Sequence, residues 1–194
     1  MTYERLRKHI LKRVDLTDKE FRACSGFFTS RSLRKRQFLL REGEVCKHLT
    51  FVTSGCLREF TVDHKGEEHV LQFAIEDWWI SDLSSFLTGT ASTHTIEALQ
   101  DSDVLMIEKD AREEMLGKVP RMERFFRLLL ESNYVATHRR INDALSASAE
   151  QRYLAFIKTY PALFEQIPQH HIASYLGITP QSLSRIRKEL SRKR

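Results

Sequence analysis

Residues 167–190, Ile-Pro-Gln-His-His-Ile-Ala-Ser-Tyr-Leu-Gly-Ile-Thr-Pro-Gln-Ser-Leu-Ser-Arg-Ile-Arg-Lys-Glu-Leu, leave little freedom of local structure. Ile172, Ala173 and Leu176 recur at helical spacing and give a first short helix one apolar face. Gly177 follows, where a helix commonly stops on a left-handed residue. Ile178 is apolar and plugs the corner. Thr179 offers a hydroxyl as N-cap, and Pro180 takes the first helical position, where its missing N–H costs nothing. Leu183, Ile186 and Leu190 then form the apolar stripe of a second helix. Gln181, Ser182, Ser184, Arg185 and Lys188 are left on its outer side. Such a pair is a helix-turn-helix, and its second helix suits a major groove.

Charge supports this reading. Residues 182–194 carry Arg185, Arg187, Lys188, Arg192, Lys193 and Arg194 against Glu189. That surplus of five equals the formal net charge of the whole 194-residue chain, +5. The remaining residues balance, so a cationic end joins a near-neutral body, an arrangement that attracts phosphates.

The length suits one domain of ordinary size and a smaller second one. With 41% hydrophobic and 29% charged residues, a globular chain is expected. No apolar run is long enough to span a bilayer, and the charged N-terminus lacks the apolar core of a signal peptide. The expected location is the cytoplasm, with no membrane partner. Cys24, Cys46 and Cys56 are odd in number and widely spaced, unlike a disulfide framework or a zinc or iron–sulfur site. His170 and His171 project about 100° apart on a helix and do not converge on one ion. His64, His69 and His94 are scattered. No metal or cofactor is expected, and no nucleophile–base constellation suggests an enzyme.

Residues 2–13 read as a short amphipathic helix. Thr17 and Glu20 form a capping box for a second helix running to about Phe28. The period then changes. Residues 37–40, 49–53, 56–62, 69–73, 93–99 and 103–108 are short and rich in β-branched or aromatic residues. Alternation sets Leu57, Glu59 and Thr61 against Phe60 and Val62. Turn signals at Gly43, Gly55, Gly66 and residues 100–103 separate the strands, which suggests an antiparallel sandwich or roll. Residues 109–117 read as a helix ending at Gly117. The stretch 121–145 is the longest helix. Its apolar set includes Phe125, Phe126, Leu129, Tyr134, Val135 and Ile141, wider than one buried face requires. Phe125, Phe126, Leu129 and their neighbours are expected to be divided between the domain and a second copy. Residues 146–150 form a hinge, and 151–160 a further helix.

This order, β-roll, long helix and C-terminal helix-turn-helix, resembles the Crp/Fnr family of transcription regulators over nearly the whole chain. The most specific match is Ile172-Ala-Ser-Tyr-Leu-Gly-Ile-Thr-Pro-Gln-Ser-Leu-Ser-Arg-Ile186. The resemblance implies an α+β chain with an N-terminal antiparallel β-roll of jelly-roll type. It implies a cyclic nucleotide-binding-like sensor domain at 1–119, a dimerisation helix at 120–145 and a helix-turn-helix domain at 146–194. It also implies transcriptional control by a homodimer on double-stranded DNA, with RNA polymerase as a further candidate partner. Gln181 and Arg185 match the family's base-reading positions, with Ser184 completing the Ser-Arg pair. Gln suits adenine N6/N7 and Arg suits guanine O6/N7. Ser182, Arg187, Lys188, Arg192 and Lys193 are expected on phosphates.

Two departures stand out. Members that bind cyclic nucleotide carry Gly-Glu-(Leu/Ile) and, about ten residues on, Arg-(Ser/Thr)-Ala. This chain has Ser81-Asp82-Leu83 and Ser92-Thr93-His94 there. Trp78, Asp82, Leu83, Ser92 and Thr93 are the expected effector pocket. Ser92 cannot replace an arginine that pairs with a phosphate. An unidentified small molecule other than cyclic AMP is therefore the expected effector. Many relatives also continue into a β-hairpin wing. The sequence stops at Arg194, and Arg192, Lys193 and Arg194 are expected to supply backbone contacts instead. The alternative is a small-molecule sensor with weak or no DNA binding.

Overall fold

The computed structural model describes residues 2–161, 163 and 167–192. Helix α1 spans Thr2–Leu11 and α2 spans Asp18–Ser25. The capping box holds. The Glu20 amide donates to Thr17 Oγ1 at 3.2 Å, and the Thr17 amide donates to Glu20 Oε2 at 2.8 Å. Helix α2 ends three residues before the expected Phe28. The amides of Phe27 and Phe28 turn back to the carbonyls of Cys24 and Ser25, which frees Thr29 to start a strand.

Eight strands follow among the described residues: β1 Thr29–Leu33, β2 Phe38–Leu40, β3 His48–Ser54, β4 Cys56–Val62, β5 Glu68–Ile75, β6 Trp79–Ile80, β7 Thr95–Ala98 and β8 Ser102–Glu108. They form two four-stranded sheets, ordered β1-β8-β3-β6 and β2-β7-β4-β5. This is the order of an antiparallel jelly roll. Gly55 makes the β3–β4 turn possible. Its φ is +91°, and a Cβ there would lie 2.2 Å from Ser102 Oγ and 2.6 Å from the Asp101 carbonyl.

Strand β4 corrects the expected in–out alternation, because it is buried on both faces from Cys56 to Phe60. Leu57 joins the core, as an inward residue should. On the opposite face Arg58 Nε and Nη2 donate to Glu97 Oε2 at 2.9 and 2.7 Å, and the guanidinium stacks 4.0 Å from the Phe60 ring. A pair made on the sheet itself, not water, satisfies the outer polar side.

Helix α3 (Leu83–Thr88) interrupts the strands, and α4 (Lys109–Lys118) follows β8. Gly117 does not end α4 as expected. The helix continues through Lys118, and buried Met115 and Val119 fix its end. Helix α5 spans Arg121–Ser146. Met122, Phe125, Phe126 and Leu129 are all buried in their own core, so they are not shared with a partner. The large exposed residues lie further on: Leu130, Tyr134, Val135, Ile141 and Leu145. The chain then forms α6 (Ala149–Thr159), α7 (Gln169–Tyr175) and α8 (Pro180–Arg192). Ser148 caps α6 in a box with Gln151.

Contacts divide the chain into two compact units, residues 1–61 with 72–132, and residues 62–71 with 133–194. The first is organised around aromatic rings. Phe125 packs 5.2 Å from Phe126 and 6.2 Å from Trp79, and Trp79 lies 5.3 Å from Phe51. His9 of α1 enters this cluster, 5.1 Å from the Phe51 ring, and its Nε2 accepts from Trp79 Nε1 at 3.3 Å.

Burial, reinforced by the Arg13 charge, pushes the His9 pKa down from 6.5 to about 4. Folding thus requires a neutral imidazole. The corresponding stability is complete above pH 6.5 and is lost as pH falls toward 4, about 3 kcal/mol over the full interval. His9→Gln keeps an acceptor for Trp79 but cannot titrate, so its stability should depend less on pH over this range. Urea melts of both proteins at several pH values measure the slopes. Equal slopes would contradict the buried neutral histidine.

Candidate nucleic-acid interface and sensor site

The helix-turn-helix is built by its caps. Helix α7 ends as the Leu176 amide returns to the Ile172 carbonyl, and Gly177 turns with φ +64°. The Ile178 amide closes the turn on the Ala173 carbonyl at 3.0 Å. Thr179 Oγ1 then accepts from the Ser182 amide at 3.1 Å and starts α8, so Thr179 is a cap. Ile172, Ala173, Leu176, Leu183 and Ile186 are buried with Tyr153, Phe156, Leu163 and Ile167. Leu190, expected in this stripe, is half-buried.

That packing fixes the outward face of α8. Gln181, Ser184, Arg185, Lys188 and Arg192 are exposed. Their side chains have no hydrogen bond or ion pair among the described residues. Ser182 is half-buried, with its hydroxyl 3.0 Å from Thr179 Oγ1. Arg187 is exposed but hydrogen-bonds the buried Tyr153 of α6, whose hydroxyl is pushed up by burial against the pull of that guanidinium. Arg187 therefore also ties α8 to α6, a role invisible in the sequence. Lys193 and Arg194 lie outside the described residues.

The tip of the β4–β5 hairpin belongs to the same unit as these helices. Ser174 of α7 donates its hydroxyl to the Glu68 carbonyl at 2.7 Å and accepts from the Val70 amide at 2.9 Å. Arg140 donates to the Leu71 carbonyl. One serine thus completes both free backbone groups of a strand edge. At the same tip Asp63, Glu67 and His69 bring ligand atoms within 4.8 Å of one another, a grouping that sequence spacing did not suggest. His69 Nε2 lies 3.0 Å from Asp63 Oδ2. The rings of His170 and His171 contact at 3.9 Å despite their divergent positions.

In the roll, two of the five expected pocket residues meet. Asp82 and Ser92 are buried, and the Ser92 hydroxyl donates to Asp82 Oδ2 at 2.7 Å. Asp82 Oδ1 accepts from the Ser85 amide at 3.1 Å and caps α3. Trp78 and Leu83 are half-buried and pack on the core, whereas Thr93 is exposed. The structure adds two residues that the sequence reading missed. His94 Nδ1 lies 2.8 Å from Glu59 Oε1 and 3.8 Å from Asp82 Oδ2. Glu59 is buried, with a side chain only 7% exposed. The Glu59 hydrogen bond, followed by the charges of Glu59 and Asp82, holds the His94 pKa up against burial. Burial pushes Asp82 upward, but the hydrogen bonds from Ser92 and Ser85 and the charge of His94 leave it below the usual carboxylate range.

The remaining reactive groups are quiet. Cys24, Cys46 and Cys56 are free and buried, and burial pushes Cys24 to about 11 and Cys56 to about 12. Among the described residues, no helix is long and apolar enough to cross a membrane.

Comparison with known proteins agrees with this architecture. The family model of the cyclic nucleotide-binding domain matches residues 30–118. The fumarate and nitrate reduction regulatory protein of Vibrio cholerae is 24% identical over 167 residues, covering 79% of this chain and 65% of that protein. Its Escherichia coli K12 counterpart is 25% identical with the same coverage. The chain is similar to regulators of the Crp/Fnr family. It spans just under two thirds of the length of these relatives. Two solved structures share the fold. FixK2 from Bradyrhizobium japonicum superposes with a TM-score of 0.73 at 18% identity, over 86% of this chain and 85% of that one. Thermus thermophilus Catabolite Activator Protein gives 0.60 at 18% identity, over 95% and 87%.

The site around Asp82 carries two carboxylates, Asp82 and Glu59, and among the described residues no arginine hydrogen-bonds them. The Ser92 hydroxyl is already bonded to Asp82. An anion entering beside Ser92 would meet the carboxylates of Asp82 and Glu59, with His94 already engaged between them. Calorimetry with cyclic AMP should therefore give weak or no binding. Low-micromolar affinity would show that a cation from elsewhere takes the arginine's place.

Proposed function

We propose that this Crp/Fnr chain is a sequence-specific DNA-binding transcription regulator that acts as a homodimer and does not respond to cyclic AMP. The observation that carries the reading is the exposed face of α8, with Gln181 and Arg185 near its start and Lys188 and Arg192 beyond them. A recognition helix reads base edges from its N-terminal part and anchors on phosphates around it. Residues 1–119 serve as sensor, 120–145 as dimerisation helix and 146–194 as reading head. The partners are double-stranded DNA, a second copy and, for activation, RNA polymerase, all in the cytoplasm.

The exposed apolar residues of α5 support the homodimer. Leu130, Tyr134 and Ile141 are 44%, 65% and 51% exposed, and Leu145 is 84% exposed. Leu130, Tyr134, Thr137 and Ile141 follow the four-three-four spacing of a coiled-coil seam, and Leu145 continues the stripe one turn further on. A sensor module without DNA binding would have no use for a helix that leaves Arg185, Lys188 and Arg192 exposed.

Arg185→Ala should cost about 1–3 kcal/mol on the preferred site and relax preference at one base pair of each half-site. Arg192→Ala should weaken binding to all sequences alike and flatten the salt dependence, because a phosphate contact acts through counterion release. Titrations on specific and scrambled duplexes at several salt concentrations separate the two. Equal loss on both duplexes for Arg185→Ala would make it a backbone clamp and would contradict base reading at this position.

A further inference from the structure

We propose that the cleft between the end of α1 and the start of α5 binds a small ligand carrying two or more phosphates. The cleft encloses ≈520 Å³ and is walled by Lys12, Arg13, Asp15, Arg121 and Arg124 among its charged residues. Four cations face one carboxylate. The volume falls within the range of about 300–1,000 Å³ that small-molecule sites occupy.

These cations are poorly compensated by the chain. Lys12 Nζ lies 3.6 Å from Asp77 Oδ2, and Arg121 Nε lies 3.7 Å from Glu20 Oε1, both beyond hydrogen-bond contact. Arg121 Nη1 donates to a neutral group, the Asp15 carbonyl, at 2.9 Å. Arg13 Nη1 lies 3.2 Å from His9 Nε2, which burial keeps neutral. The exposed Arg124 has no hydrogen bond or ion pair among the described residues.

The arrangement also opposes local preference. The first turn of a helix favours acidic residues, and the 26-residue α5 places Arg121 and Arg124 there around a single acid, Glu123. Two cations at a helix start, only partly offset by Glu123 and Glu20, point to a function. Several guanidinium forks in one cleft suit bidentate recognition of phosphate oxygens. A single orthophosphate would leave most of the volume unfilled, so the fitting class is a diphosphate or a phosphorylated organic molecule. These residues take no part in α8 or in the Asp82–Ser92 cassette, so the site is independent of the proposed DNA reading.

The test titrates inorganic pyrophosphate into the full chain by calorimetry. Saturable binding should appear and weaken at least about tenfold in a Lys12→Gln/Arg124→Gln double variant. The same binding should be unchanged in Arg185→Ala, which alters the nucleic-acid face instead. Both replaced side chains are exposed and make no hydrogen bond, so the double variant should melt no lower than the parent. Three results would overturn the proposal: no binding at millimolar pyrophosphate, binding that survives the double variant, or binding lost in Arg185→Ala.

Discussion

Burial of Phe125 and Phe126 against Trp79 decides how α5 can be used. Phe125 is fully buried, and Phe126 meets the Trp79 ring edge-on at 5.7 Å. Each such ring contributes about 1.5–3 kcal/mol through burial. With Met122 and Leu129 beside them, they commit one side of the first half of the helix to its own core. What remains is a set of large apolar residues from Leu130 to Leu145 on the second half. A surface helix that exposes this much apolar side chain at regular spacing needs another surface to cover it. In the proposed homodimer a second copy would supply the same seam by symmetry.

Local features were legible because local rules determine them. The caps at Thr17 and Thr179, the left-handed Gly177 and the extent of α5 all follow from neighbours within four residues. Other elements were not. Strand β1 is Thr-Ser-Arg-Ser-Leu, mostly exposed, and exists because it pairs with β8 from Thr29↔Met106 to Leu33↔Ser102. Strand β6 is two residues long, and α3 is six. Glu59 could be read only as one side of an alternating strand, where a charged residue is expected to face water. Only the fold brings His94 from β7's approach to satisfy it. The split of α5 was readable as a wide apolar stripe, but not which residues fell on which side.

The cassette shows how a family's scaffold can persist while its chemistry changes. Asp82 and Ser92, two residues expected in the effector pocket, pair with each other. Ser92 is also pinned by its backbone, its carbonyl accepting from Gly43 and its amide donating to Glu44, each at 2.8 Å. The polar groups there are satisfied within the chain, which buried polar groups require.

The central claim is that two copies of this chain present paired α8 helices to DNA. Hydroxyl-radical footprinting on duplexes selected from a random pool tests it most directly. The account predicts two protected segments related by dyad symmetry, with centres about one helical turn (~34 Å) apart. A single unpaired segment, or uniform protection without sequence enrichment, would contradict it.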